Sequence, residues 1–327
     1  MRSVALPLIR PVVSLLSPGG HRGRLSILIY HRVLAKPDPM LSGTLDAQGF
    51  RWQMQTVKQM FNVIGLADAV KGLAQHSLPP RAACITFDDG YRDNLEVAVP
   101  ILQELDMSAT FFVATGYLDG GIMFNDRVLE SLRRMPEGEL DLEELALGRE
   151  TIRHDQDRQR IAEEIIIKIK HLEPARRDEV TQVIAERSQS PLPKDLMMTS
   201  EQVKRLSAAG MTIGGHTQTH PILSRISDQQ AQDEIAGGRE DLEALLRQPV
   251  RLFAYPNGKP GQDYNKRHVA MVRAAGFDAA VSTAWGVSTA RSDPYQLARF
   301  TPWDQTPTGF AARLSQNLMT RKAAHAL

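Results

Sequence analysis

The sequence lacks three features that would point to particular protein classes: paired cysteines, long apolar runs and an excess of one charge. Cys84 is the only cysteine in 327 residues, which excludes an internal disulfide framework and a cysteine-rich zinc site. No apolar run approaches the roughly 20 residues that span a bilayer. Lysine and arginine number 39 against 38 aspartates and glutamates, so no basic excess predicts nucleic-acid binding. A hydrophobic content of 42% predicts an ordinary globular chain.

The first 25 residues contain an apolar stretch that Arg10 and Pro11 interrupt. A secretory signal needs a longer unbroken apolar segment followed by a small-residue cleavage site, and neither is present. We interpret residues 1–25 as a short amphipathic segment that packs on the domain. The expected location is the cytoplasm, with export or peripheral membrane association through this segment as the alternatives.

Short apolar runs alternate with helix-periodic stretches, which is typical of strand–helix units with a parallel sheet. Strands are predicted at 26–30, 62–66, 83–87, 109–114, 211–214, 250–255, 279–283 and 297–300. Helices are predicted at 50–60, 95–105, 201–209, 228–247 and 264–275. This order predicts an α/β protein built as a (β/α) barrel, with an open doubly wound sheet as the second choice.

The stretch between the fourth and fifth predicted strands is long and highly charged. Within it, isoleucine and leucine recur at helical spacing, at Ile161, Ile165, Ile166, Ile169 and Leu172. We interpret about 120–195 as a helical insertion rather than a second domain. The predicted organisation is the N-terminal segment, a barrel over 26–305 that includes the insertion, and a C-terminal helix or tail over 306–327.

Two acidic residues follow the third predicted strand directly, within Thr-Phe-Asp-Asp-Gly-Tyr at 86–91. In both candidate folds the reactive side chains belong at the carboxyl ends of strands. Neighbouring residues on an extended chain point in opposite directions, so Asp88 and Asp89 are expected to face different partners. A simple turn is the alternative for Asp-Asp-Gly taken alone.

Two histidines follow the fifth predicted strand, within Gly-Gly-His-Thr-Gln-Thr-His-Pro at 214–221. His216 and His220 are four residues apart, so one helical turn would put both imidazoles on the same side. Two neutral imidazoles and a carboxylate form a common catalytic zinc site that leaves one position open for water. This spacing beside a strand end favours a metal site over packed or surface histidines.

In this order, the two motifs resemble the first two motifs of the polysaccharide deacetylases, which share the NodB homology domain of carbohydrate esterase family 4. Leu-Ile-Tyr-His-Arg-Val at 28–33 also resembles a strand of many members. The resemblance covers about 26–115 and 197–300. It implies a distorted (β/α)7 barrel, here with the helical insertion between the fourth and fifth strands. It also implies a metal-dependent hydrolase that removes N-acetyl groups from amino-sugar polysaccharides or oligosaccharides.

The resemblance assigns a role to each matching residue. Asp88 matches the catalytic base, while Asp89, His216 and His220 match the ligands of one divalent metal, commonly zinc. Such a ligand set leaves net positive charge on the metal, which would lower the pKa of bound water and polarise the acetamide carbonyl. Asp88 would take the proton as that water attacks. The implied partner is a carbohydrate substrate.

The third family motif is altered in this chain. Where many members have Arg-Pro-Pro-Tyr-Gly, the sequence is Ala-Tyr-Pro-Asn-Gly at 254–258. Ala254 cannot orient the base as the arginine does. Tyr255, Pro256 and Asn257 are candidate substrate-binding residues, because the family uses the backbone N–H at the position of Asn257 against the oxyanion.

Two further residues complete the predicted site. Arg299 lies at the end of the last predicted strand and could supply the missing guanidinium to Asp88, with plain packing or a surface ion pair as its alternative. The family's Leu-x-His general acid has no counterpart, because His268 and His325, the only histidines beyond residue 260, do not follow strands. Asp88 would then act as both base and acid, or His31 would serve from the end of the first strand.

Two rival functions stay open. An amidohydrolase of the same fold, acting on a small cyclic amide or a formamide, also fits the altered third motif. A non-catalytic glycan-binding relative fits less well, because a decayed site has no physical reason to keep both the acidic pair and the histidine pair. Metal analysis with an acetate-release assay separates enzyme from binder, and a panel of small amides separates the two enzymes.

Overall fold

The structure is a computed structural model that describes residues 6–188, 191–304, 306–320 and 324–326. Its strands are β1 (Ser26–Tyr30), β2 (Asn62–Val63), β3 (Ala82–Phe87), β4 (Thr110–Val113), β5 (Gly138–Leu142), β6 (Gly148–Ile152), β7 (Thr212–Gly215), β8 (Leu252–Ala254) and β9 (Ala279–Val281). All except β5 and β6 form one parallel sheet of order β1-β3-β4-β7-β8-β9, with β2 beside β3. Small parts of the predicted segments lie outside the described residues. They are 1–5 of the N-terminal segment, 189–190 of the insertion, 305 at the end of the barrel, and 321–323 and 327 of the tail.

The helices lie between these strands and beyond them. They are α1 (Leu6–Leu16), α2 (Ala47–Met60), α3 (Leu66–Ala74), α4 (Val99–Glu104), α5 (Phe124–Arg134), α6 (Asp155–Ile169), α7 (Pro174–Arg187), α8 (Ser200–Ala208), α9 (Asp228–Leu246), α10 (Lys266–Ala274) and α11 (Pro307–Leu318). Side chains fix several starting points, since Asp46, Thr199 and Ser227 each accept a hydrogen bond from a backbone N–H of the first helical turn.

The parallel sheet curls into a half-barrel. The segment 297–300 bridges its two edge strands: the Leu297 N–H donates to the Ala280 carbonyl at 2.9 Å, and the Phe300 N–H donates to the Ile27 carbonyl at 2.7 Å. This architecture agrees with the predicted distorted (β/α) barrel and not with the open doubly wound sheet. The carboxyl ends of β1, β3, β7 and β8 therefore meet on one side of the sheet.

Three local predictions differ from the structure. β2 stops at Val63 because α3 begins at Leu66. The buried residues of α3 recur at helical spacing, but the helix is too short for this pattern to predict it from the sequence. The predicted helix at 95–105 is divided, since Asn94–Ala98 form a π-helical turn before α4. Pro100 has no N–H to donate, which favours this irregular start. The predicted strand at 297–300 contributes single bridges only.

The segment between β4 and β7 contains an antiparallel hairpin of β5 and β6 as well as helices. The hairpin was not predicted, because most of its residues face solvent and its apolar alternation is weak. The predicted isoleucine stripe does face inward, with Ile161, Ile165 and Ile169 buried in a hydrophobic cluster that α5 and α7 share. Leu172 lies beyond the end of α6 and packs against the same cluster.

Helix α1 lies against α2 and α11 with one face inward. Val13 is fully buried, whereas the side chain of Leu15 is 82% exposed. Arg81 holds the end of this helix, because its guanidinium donates to Ser14 Oγ at 2.9 Å and its N–H donates to the Ser17 carbonyl at 2.8 Å. Within the described ranges, no helix combines the length and apolarity that crossing a membrane requires.

Candidate metal centre and its base

The two acidic residues that follow β3 turn toward different partners. Asp88 is buried, and its two carboxylate oxygens accept hydrogen bonds from the two terminal nitrogens of Arg299, both at 2.7 Å. Asp89 has a φ of 78° and Gly90 a φ of 92°, so the chain leaves the extended conformation at once. A positive φ is costly for a residue with a side chain and is found where surrounding structure imposes it. This turn, rather than strand alternation, directs Asp89 away from Arg299.

Three ligand-type side chains converge at the same place. The Nε2 atoms of His216 and His220 each lie 3.4 Å from Asp89 Oδ1, and one ligand atom from each residue lies within 4.8 Å of the others. Asp89 Oδ1 is buried and has no hydrogen-bond donor in the part of the chain that the structure describes. Such an oxygen is costly unless a cation compensates it. Two imidazoles and a carboxylate therefore fit a divalent metal with an open coordination position.

The backbone of the altered third motif fixes the tautomer of His216. Its Nδ1 lies 2.7 Å from the Ala254 carbonyl oxygen, which can only accept, so Nδ1 donates its proton there and Nε2 is the nitrogen that faces Asp89. Burial lowers the pKa of His216, but the carboxylates of Asp88 and Asp89 outweigh it and raise the pKa above its ordinary value. Burial lowers the pKa of His220 to about 3, which leaves that imidazole neutral and able to bind a metal.

The loop that carries both histidines is not the helical turn that their spacing suggested. Thr217 has a φ of 65° and His220 a φ of 52°, and Thr217 Oγ1 accepts the His220 N–H at 3.1 Å. Glu234 of α9 accepts the N–H groups of Gln218 and Thr219 at 2.9 and 2.7 Å. The imidazoles meet, with ring centroids 4.7 Å apart, because these side chains close the loop.

Arg299 is fully buried beside Asp88, the candidate base, as the sequence predicted. Its Nε donates to the Ser282 carbonyl at 2.9 Å, which anchors the guanidinium independently of Asp88. Burial raises the pKa of Asp88, but the charge of Arg299 and its hydrogen bonds outweigh burial and hold that pKa below its ordinary value. Asp88 is therefore ionised and fixed in direction, although Ala254 offers no guanidinium.

Two cavities meet beside Asp89, and both are lined by Asp89, His31 and Asn125. The smaller, of about 220 Å³, contains the three candidate ligands and Asp88, and α6 closes one wall through Ile166 and Lys170. The larger, of about 330 Å³, is lined by polar and aromatic side chains that include Arg32, Tyr91, Asp126 and Trp303.

The three predicted substrate-binding residues are placed differently from one another. Asn257 lines the smaller cavity and has a φ of 59°. The ring of Tyr255 stacks on Tyr264 in the core at a centroid distance of 3.8 Å, and its hydroxyl donates to the Tyr295 carbonyl. Pro256 is buried and does not line the cavity. The prediction for Tyr255 and Pro256 needs correcting, because core packing directs these side chains away from the cavity.

Several residues around the cavities were missed from the sequence. Asp126 is buried and accepts a hydrogen bond from the Tyr91 hydroxyl at 2.8 Å, and burial raises its pKa to about 7. Arg32 lies over the Tyr91 ring at 4.7 Å and pairs with Asp93 at 2.8 Å. Arg32 follows a strand end and could have been found by that criterion. Asp126 and Lys170 belong to the insertion, whose position no sequence signal gives.

Comparison with known proteins identifies the family of hydrolases to which this half-barrel belongs. Residues 75–280 match the sequence profile of the family described as polysaccharide deacetylase, and the chain belongs to this family. The Bacillus subtilis (strain 168) protein YxkH, named for the same family, is 22% identical over 219 residues, which are 67% of this chain and 50% of that protein. The chain thus spans about half the length of the curated relative it matches.

Solved structures show the same fold. The Streptococcus pyogenes deacetylase PplD, solved in complex with acetate, superposes with a TM-score of 0.60 at 20% identity, over 91% of this chain and 99% of that one. IcaB from Ammonifex degensii superposes with a TM-score of 0.57 at 17% identity, over 93% and 99% of the two chains. These likenesses show the predicted distorted (β/α) fold.

Proposed function

We propose that this protein is a metal-dependent deacetylase that hydrolyses the acetamide group of N-acetylated amino sugars in a polysaccharide or oligosaccharide. One observation carries the proposal: a single cavity of about 220 Å³ joins an ionised carboxylate, Asp88, to the cluster of Asp89, His216 and His220. Amide hydrolysis needs a base for the attacking water and positive charge at the carbonyl oxygen. This cavity brings the candidate base, Asp88, and the candidate metal ligands, which would hold the positive charge, next to the same bound acetamide.

Asp89, His216 and His220 hold the metal, and zinc suits this set of two imidazoles and one carboxylate. When bound, the metal polarises the acetamide carbonyl and lowers the pKa of water. Asp88 borders this cluster without belonging to it. Its Oδ2 lies 3.9 Å from His216 Nε2, and both of its oxygens are engaged by Arg299.

The chain's own residues then divide the remaining work. Asp88 takes a proton from the attacking water, because Arg299 keeps it ionised and aimed at the cavity. Asn257 lines the cavity, and its backbone N–H makes no hydrogen bond inside the described part of the chain, so this N–H is free to stabilise the developing oxyanion. His31, at the end of β1, protonates the leaving amine, and Asp88 is the alternative donor.

The larger cavity favours a glycan over a small amide as the substrate. It shares His31, Asp89 and Asn125 with the smaller cavity, so a chain of sugars can extend from one into the other. Trp303, 69% exposed at its edge, offers an apolar face to a sugar ring. The acetate bound to the streptococcal relative is the product that this reaction releases.

The test is acetate release from N-acetylglucosamine oligomers, measured with chelator and after zinc is returned. We expect activity that the chelator abolishes and zinc restores. His216→Ala and Asp89→Ala are expected to lose tight zinc binding, because each removes one of three ligands. His21→Ala, an exposed histidine outside the site, is the matched control. Stoichiometric zinc in both site variants would contradict the metal assignment.

A second pair of variants separates the two carboxylates. Asp88→Asn is expected to keep zinc and lose acetate release, because an amide cannot accept the proton of water. Asp89→Asn is expected to lose zinc. The opposite result, with zinc lost from Asp88→Asn and kept by Asp89→Asn, would exchange the two roles.

A further inference from the structure

Lys170 reaches the small cavity from outside the barrel. It follows the last residue of α6, where its N–H donates to the Ile166 carbonyl at 2.9 Å and its own carbonyl accepts from Arg177 of α7 at 3.2 Å. Ile166 and Lys170 line the same 220 Å³ cavity as the candidate metal ligands. The backbone of Lys170 is therefore held by two helices while its side chain borders the proposed reaction site.

The ammonium group of Lys170 has no ion pair or side-chain hydrogen bond with the residues that the structure describes. Asp263 is the acidic side chain whose charge favours it, but Asp263 Oδ2 already accepts the Lys259 N–H at 2.9 Å. Lys259 adds a second positive charge nearby. Burial and this neighbouring lysine lower the pKa of Lys170, so the surroundings do not compensate the ammonium.

We propose that Lys170 forms a subsite for a negatively charged substituent, a carboxylate or a phosphate, on the glycan that enters the small cavity. The inference rests on the proposed deacetylase function and specifies its substrate class as acidic N-acetylated glycans. An incoming anion would pair with an ammonium to which the described residues offer no partner. Ile166, beside it, excludes water from one side and strengthens that pairing. The neutral acetamide group is already served by Asn257, Asp88 and the metal ligands.

The experiment compares oligosaccharides of different charge, by titration calorimetry on the full chain with and without zinc. The first probe alternates N-acetylglucosamine with glucuronate, and the second is the same compound after its carboxylates are reduced to alcohols. The third is an N-acetylglucosamine oligomer that carries a phosphate monoester. We expect the charged probes to bind on the order of tenfold more tightly than the reduced one, with the difference falling as salt increases.

Variants assign this difference to Lys170. Lys170→Met is expected to bind all three probes with the affinity of the neutral one, and Lys170→Arg is expected to keep most of the discrimination. Lys168→Met is the matched control, because Lys168 is an exposed residue of α6 that does not line the cavity, and its replacement removes an equal charge. The ratio of the affinities for the carboxylate probe and the phosphate probe identifies which anion the subsite prefers.

Three results would overturn the inference. They are equal binding of charged and reduced probes by the wild type, discrimination that survives Lys170→Met, and equal weakening of all probes by Lys170→Met. Acetate release from neutral oligomers is measured on the same samples. If zinc-loaded wild type releases no acetate, the proposed function is contradicted. The calorimetry would still decide whether Lys170 binds negatively charged glycans.

Discussion

The carboxylate of Asp88 lies in the interior of the protein with one permanent counter-charge, the guanidinium of Arg299. Two parallel hydrogen bonds of 2.7 Å join them, and both side chains are buried. Removing one partner of such a pair leaves the other buried and uncompensated. At the scale of single residues, the ionisation and the direction of Asp88, the proposed base, both depend on Arg299.

Replacing Arg299 tests this dependence. We expect Arg299→Ala to lower kcat on the order of 10²-fold, with zinc content unchanged, because the base loses its orientation. Burial then loses its largest opposing interaction and raises the pKa of Asp88, so the acidic limb of the pH profile of kcat/KM moves to higher pH. Arg299→Lys keeps the charge but not the paired hydrogen bonds, so its kcat and its acidic limb are expected to lie between those of wild type and Arg299→Ala.

Steady-state acetate release, metal analysis and thermal unfolding on the same preparations check this prediction. Arg267→Ala, which breaks an exposed pair with Asp228 at 2.9 Å, is the control for loss of an arginine. Unchanged kcat in Arg299→Ala, or an unmoved acidic limb, would leave Asp88 without an orienting residue.

Asp126 gives a second prediction at this scale, on stability. Burial raises its pKa from 3.8 to about 7, so between about pH 4 and pH 7 the folded protein holds a proton that the unfolded chain has lost. The free energy of unfolding therefore falls as pH rises through that window, by at most about 1.4 kcal/mol per pH unit. Asp126→Asn has no such proton and should become more stable relative to wild type as pH rises. Urea unfolding at several pH values measures the difference, and parallel curves would contradict it.

Single residues were predictable from the sequence where chemistry coincided with a strand end. Asp88 and His216 follow β3 and β7 directly, so their convergence required only the parallel sheet. Lys170 and Asp126 approach the site through the packing of the insertion, which no local pattern encodes. Tyr255 was placed in the site because it belongs to a motif, but its ring packs in the core instead.

Among the helices and strands, α9 does most to shape the histidine loop. A Cβ atom on Gly238 would lie 2.7 Å from backbone atoms of Thr217, whereas the atoms nearest to a Cβ on Gly237 belong to the side chain of Gln218, at 2.6 Å. The helix can therefore approach the loop because these two positions lack side chains. Glu234 on the same helix then binds the loop's N–H groups.

The adjacent glycines provide a matched pair of substitutions. Alanine normally stabilises a helix interior by about 1 kcal/mol relative to glycine. We expect Gly238→Ala to do the opposite and weaken zinc binding, because the backbone of Thr217 must move and the imidazoles move with it. Gly237→Ala is expected to be tolerated, since the side chain of Gln218 can swing aside. Competition with a chromogenic chelator and thermal unfolding measure both effects. Equal zinc affinity in the two variants would show that α9 does not position the loop.

The helices themselves were largely predictable, because their apolar spacing and side-chain caps are local properties. The loop at 216–220 was not, because its positive φ values at Thr217 and His220 depend on contacts with α9. A four-residue spacing is compatible with a helical turn and with this closed loop alike. The sequence could therefore predict that the imidazoles meet but not how.

At the scale of the whole molecule, the candidate ligands connect distant parts of the chain. Asp89 follows β3 and the histidines follow β7, with β4 between the two strands and the insertion between them in sequence. A metal held there binds the folded protein and has no preformed site in the unfolded chain. Binding of this kind stabilises the folded state by mass action.

Zinc is accordingly expected to raise the unfolding temperature. At a free concentration one hundred times its Kd, the stabilisation is about 2.7 kcal/mol, which corresponds to a rise on the order of 5 °C for a chain of this size. Scanning calorimetry should show the rise in wild type, its reversal by chelator, and its absence in His216→Ala. A similar rise in that variant would place the stabilising zinc at another site.

The overall architecture was the most predictable level, because alternating strands and helices with short connections allow few arrangements. The position of the insertion over the cavity was not predictable, since it depends on apolar contacts between α5, α6 and α7 and not on the barrel's own pattern.

The charges at the site have a consequence for how the protein meets acidity. Asp88 and Asp89 carry two negative charges and Arg299 one positive charge, so with neutral imidazoles the buried cluster retains one negative charge. Protons and metal ions therefore compete for the same side chains. The raised pKa of His216 shows that the negative charge also favours binding of a proton. Apparent zinc affinity, followed by chelator competition across pH, should fall by up to about tenfold per pH unit below that pKa. Mild acid would then release the metal before it unfolds the protein, and loss of activity would be reversed by neutralisation with zinc.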